Sequence, residues 1–184
     1  MIQLPPIPDW DQLHPLVIHF PSALLLVTPV FVILGAILSP PQGRSFLTSA
    51  LIMMTAGTIT LFVALETGDA AGGLVVQTAQ IKQALEQHER SAETTCLLFS
   101  ALTLVFAHLV MVPRILKREF SRKVSTSLLA AFLILYGTGA LFLWNAAQQG
   151  GCVVHAFGVD GQALPSAQSA ILPMPANPDR PTAD

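Results

Sequence analysis

Five histidines, two cysteines and eleven carboxylates are the side chains of this sequence that could do chemistry. Four of the histidines stand in short, distinctive settings: His14 and His19 in "HPLVIHFP", His88 in "LEQHE" and His155 in "GGCVVHAFG". Neutral imidazole ligates haem iron, zinc and copper, and near a membrane an ionisable side chain is a functional candidate by default. Pro15 suits the first position of a helix, where its missing N–H costs nothing, so His14 stands at the helix entry and His19 within the first turns. Five residues of regular helix turn the two rings about 140° apart. Each therefore looks for its own partner, unless Pro21 distorts the turn; the alternative is a pair of interfacial residues bonded to water or backbone.

His88 is more informative. With the stretch around it projected as a helix, Ile81, Leu85, Ala92, Thr95 and Phe99 fall within about 60° of His88, while Lys82, Glu86, Glu89, Arg90 and Glu93 fall opposite. A histidine on the apolar stripe is either a ligand or a core residue bonded to Glu66, Asp69 or a free carbonyl. Glu66, Asp69 and Glu89 are the carboxylates placed to support such a site or relay protons beside it.

Imidazoles on different helices suit b-type haem, which needs opposed ligands, an apolar slot and small residues beside the ring. His19, His88, His14 and His155 are the candidate ligands. Gly57, Gly137, Gly139 and Ala140 offer a clearing, or serve close helix packing. No C-x-x-C-H is present, so covalent haem is not supported. His88, His155, Cys96 and Cys152 form an alternative zinc or copper set, although the two cysteines could instead form a disulfide in an oxidising compartment. His108 lies roughly 30 Å along the helix from His88 and about 160° around it, which suits a hydrogen bond between helices. No glycine-rich phosphate loop, nucleophile elbow or carboxylate pair appears. An electron-transfer or structural subunit fits these residues better than an enzyme working alone.

The elements that must carry these residues are set by composition. The chain is 52% hydrophobic and 11% charged, against about 25% charged residues in soluble domains. A net charge of −2 with no basic stripe excludes nucleic acid as a partner. Four runs free of Asp, Glu, Lys and Arg, at about 16–38, 45–65, 94–113 and 124–147, are each long enough for a helix across a hydrocarbon core of about 30 Å. An all-α bundle of four transmembrane helices over 1–159 follows, with an amphipathic outer segment at about 74–93. The first run lacks the basic region and cleavage site of a secretory signal. Arg44 in the first loop, and Arg114, Lys117, Arg118, Arg122 and Lys123 in the third, set both short loops inside. Both termini then face outward, with Trp10 and Trp144 at the outer interface. A proline-rich tail, 160–184, is expected to be extended and to strap over a neighbouring subunit.

"HPLVIHFPSALL", "ALETGDAAGG", "LEQHE" and "GGCVVHAFGV", taken in order, resemble the bacterial four-helix membrane proteins classified as domain of unknown function 2231. The motif positions fall on His14, Pro15, His19, Pro21, Gly68, His88, Glu89, Gly150 and Gly151. At the last motif His155 departs from the pattern, standing where an aromatic residue is more common. Members of the family accompany cytochromes, so the resemblance implies redox work. The expectation is a multi-pass subunit of an electron-transfer complex, respiratory or photosynthetic in type, in the bacterial inner membrane. It would contact lipid and other membrane or periplasmic subunits, cytochromes among them.

Overall fold

The computed structural model describes residues 10, 13–75, 78–117 and 120–157; the proline-rich tail lies outside the described residues. The chain runs through α1 (His14–Val17), α2 (His19–Ile37), α3 (Pro40–Gly72), α4 (Ala79–Ile115) and α5 (Arg122–Phe157). With α1 and α2 taken as one rod, four helices are long and apolar enough to cross a membrane, and no strand occurs among the described residues. The helices form an antiparallel bundle in which α2 packs on α3, α4 on α5, and the two hairpins on each other through α3–α4 and α2–α5.

Prolines decide where the first rod breaks and how it is repaired. Pro21 has no N–H for the Val17 carbonyl, and the rod is interrupted at Ile18, between α1 and α2. Pro29, inside α2, likewise deprives the Leu25 carbonyl of its helical donor. The buried Tyr136 hydroxyl of α5 donates to that carbonyl at 2.6 Å. In a membrane interior, where water offers no replacement, an orphaned carbonyl must find such a partner.

Tyr136 also anchors the core. Its ring meets Phe99 edge-on at 5.4 Å and Phe132 at 5.8 Å, and Phe132 stacks on Phe106 at 4.8 Å. Leu25, Val32, Met54 and Leu102 close around this aromatic column. Thr58 and Thr103 add a 2.8 Å hydrogen bond between α3 and α4. Outside, large apolar side chains such as Leu97, Ile134 and Leu141 are more than two-thirds exposed, a surface suited to lipid rather than water.

Three helices outrun the bilayer at one end. At 1.5 Å per residue the 37 residues of α4 reach roughly 55 Å, well beyond a hydrocarbon core of about 30 Å. The amphipathic segment therefore continues into the third span as one helix, started by Thr78, whose hydroxyl accepts from the Ile81 N–H at 3.3 Å. The extensions of α3, α4 and α5, with α1 beside them, build a cap on the bundle. His14 and His88 sit in it.

Candidate functional site

Each hairpin closes, at the end opposite the basic loops, with a histidine laid on a glycine. His14 reaches from α1 across to α3, where its Nδ1–H donates to the Ala64 carbonyl at 2.8 Å and lies 3.3 Å from Thr67 Oγ1. That carbonyl is reachable because Gly68, one turn on, has no side chain: a Cβ there would stand 3.0 Å from His14 Cε1. His88 reaches from α4 to α5 in the same manner. A Cβ on Gly150 would stand 2.9 Å from His88 Cε1, and the Ala146 carbonyl, again one turn earlier, favours protonation of the ring although no hydrogen bond joins the two.

The two halves repeat further down. Gly57 and Gly68 are eleven residues apart, as are Gly139 and Gly150. Eleven residues make about three turns, so each pair shares a face. A Cβ at Gly57 would meet Leu25 at 2.8 Å, and one at Gly139 would meet Leu102 at 2.8 Å. Both hairpins thus use leucine on glycine in the membrane and histidine on glycine above it. The sequence carried the signal as A-x-x-x-G in "ALETG" and "AAQQG", preceded in each helix by a glycine eleven residues earlier, and composition-led reading passed over it. The clearing expected at Gly57 and Gly139 is filled by Leu25, and by Leu102 with Phe99; nothing stands within 4 Å of a Cβ on Gly137.

The halves differ in the residue just before the glycine. Where the first has Thr67 beside its histidine, the second has Gln149. Both Gln149 Oε1 and His88 Nδ1 are buried with no hydrogen-bond partner among the described residues. His88 lies six residues before the charge-free run that begins at 94. Burial lowers its pKa below the ordinary 6.5, and the nearby His14 lowers it further, while the Ala146 carbonyl opposes both. The neutral ring therefore keeps a lone pair at physiological pH. With its Nδ1–H given to Ala64, His14 keeps its own lone pair on Nε2. A ring N–H given to a carbonyl fixes both the tautomer and the orientation of an imidazole.

The remaining candidates lie elsewhere. His19 is exposed beside the exposed Phe20, and His155 is exposed in the last turn of α5. Glu66, Asp69 and Glu89 are exposed. Cys96 is buried, Cys152 is exposed, and both are free thiols. Among the described residues no three His, Cys, Asp or Glu side chains converge as a metal-holding group. His108 Nδ1–H donates to the Leu104 carbonyl of its own helix at 2.8 Å, rather than bridging to another.

Comparison with known proteins gives one finding. The family described as "Predicted membrane protein (DUF2231)" matches residues 11–163, from just before His14 to the end of the "GGCVVHAFGV" motif and beyond. No curated protein and no solved structure matches the chain.

Proposed function

Because the chain belongs to the DUF2231 family of predicted membrane proteins, whose match takes in both histidine–glycine closures, we propose that these closures are its functional centre. In this reading the protein is a membrane subunit of an electron-transfer complex, and His14 and His88 are ligands of a b-type haem at the outer end of the bundle. The complex would sit in the bacterial inner membrane, with cytochromes among its neighbours. The observation that carries the reading is the buried, unpartnered Nδ1 of His88 close to a second imidazole from the other hairpin. A buried polar atom without a partner is costly and rare in native folds, so such an atom points to something that completes it.

The chemistry of the two donors supports the reading. Two neutral imidazoles come from different helices, and Ala64 fixes the tautomer of His14. Bound haem would supply one-electron transfer at iron. His14 and His88 would hold it, Gln149 would offer its unpartnered Oε1 to a hydrogen-bond donor, and the burial of His88 would keep its ring neutral. The glycine recesses are filled by the imidazoles themselves.

A second reading rests on those filled recesses. Each histidine packs on a glycine and faces a helix carbonyl, which by itself clamps a hairpin shut, and a cofactor-free scaffold needs no more. A zinc or copper ion at the same pair is the remaining alternative. A reduced-minus-oxidised absorbance spectrum of the purified protein, with elemental analysis of the same sample, separates the three. Haem bands are expected. Metal without such bands favours the ion, and neither favours the scaffold.

A further inference from the structure

The opposite end of the bundle holds a second feature, unrelated to the histidines. A cleft of about 660 Å³ opens there between the helices, with Arg44, Arg114, Lys117 and Arg122 on its walls and no acidic residue among the described residues lining it. Its inner part is apolar, with Leu109 and Leu129 among the lining. The cleft is thus cationic at the membrane surface and greasy toward the bilayer.

Two of the guanidinium groups are held in place by neighbouring helices. Arg114 Nη2 donates to the Arg44 carbonyl at 3.0 Å and to Thr48 Oγ1 at 2.8 Å, and Arg122 Nη2 donates to the Ile37 carbonyl, at the last residue of α2, at 3.0 Å. A guanidinium carries five N–H donors on three nitrogens. Among the described residues the Nε and Nη1 donors of both arginines have no protein acceptor, nor has the Lys117 ammonium. The two arginines are thus held in place, and among the described residues neither they nor Lys117 meets a carboxylate.

We propose that this cleft binds the headgroup of an acidic phospholipid, its phosphate between Arg114, Lys117 and Arg122 and its acyl chains against the apolar wall. Phosphate with oriented guanidinium donors is a strong pairing. Basic pockets between membrane helices take anionic headgroups for the same reason. The apolar wall selects a lipid over a free anion, because it gains only from a ligand that brings hydrocarbon.

The test uses the full chain in nanodiscs of phosphatidylcholine, alone or doped with phosphatidylglycerol, and counts lipids retained in native mass spectrometry after delipidation. Phosphatidylglycerol should be retained at least tenfold over phosphatidylcholine. Lys117→Gln, at a side chain that holds no helix end, should cut that preference several-fold, and Arg122→Gln should cut it further. Millimolar inorganic phosphate should not displace the lipid. Equal retention of the two lipids, an unchanged preference in Lys117→Gln with Arg122→Gln, or displacement by phosphate would each overturn the proposal.

Discussion

His88 and Gly150 make one contact that a single methyl group would break. Gly150→Ala sets a Cβ 2.9 Å from His88 Cε1, and Gly68→Ala sets one 3.0 Å from His14 Cε1, so both should destabilise by about 1–3 kcal/mol, as overpacking does. Gly137→Ala and Gly151→Ala, where a Cβ meets nothing within 4 Å, are the matched controls. Thermal unfolding in detergent should separate the two pairs; equal effects would mean that the rings do not rest on these glycines. The depressed pKa of His88 gives a pH dependence of definite sign. A histidine held neutral by the fold contributes stability above its unfolded value of 6.5, and that stability is lost as pH falls through the lower folded value. Wild type should therefore lose melting temperature below pH 6.5 more steeply than His88→Gln, and parallel curves would contradict the assignment. Part of this site was legible in the sequence. The helical projection put His88 on the buried stripe because the 3.6-residue period is local and strong. The pairing with Gly150 was not legible, because it depends on which helix lies opposite.

At the scale of the element, the charge-free runs marked the membrane crossings, since the absence of charge is a property of sequence alone. They did not mark the helix ends. Ala79–Ile115 and Arg122–Phe157 continue past the apolar runs because nothing in Gln87–Glu93 or Gln148–Gly151 stops a helix once its neighbours supply a face to pack on. The repair of α2 by Tyr136 was equally hidden: Pro29 announces an orphaned carbonyl, but not the residue more than a hundred positions away that satisfies it. That repair predicts a coupling. Tyr136→Phe should cost about 1–3 kcal/mol, the penalty of a buried unsatisfied carbonyl. In a Pro29→Ala background the restored N–H reaches Leu25, and the same substitution should cost much less. A double-mutant cycle by unfolding in detergent measures the difference, and additive effects would mean that Tyr136 serves no such repair.

The whole molecule reads as two hairpins built on one plan, each with leucine on glycine in the membrane and histidine on glycine above it. This arrangement brings His14 and His88 near one another although they are far apart in the chain. It also sets the basic loops at the end opposite the histidines. By the bias of positive charge toward the cytoplasm, cysteine labelling should find a probe beside Lys123 shielded from the outside and one beside His155 accessible; the reverse pattern would turn the bundle over. The central claim is that these two histidines, out of five, form the working site. It is tested most directly by haem-to-protein stoichiometry, read from the reduced-minus-oxidised spectrum, in alanine variants of His14, His19, His88 and His155. His14→Ala and His88→Ala should each lose most of the haem while His19→Ala and His155→Ala retain it. Full retention in His14→Ala and His88→Ala, or a wild-type protein with no haem at all, would contradict it.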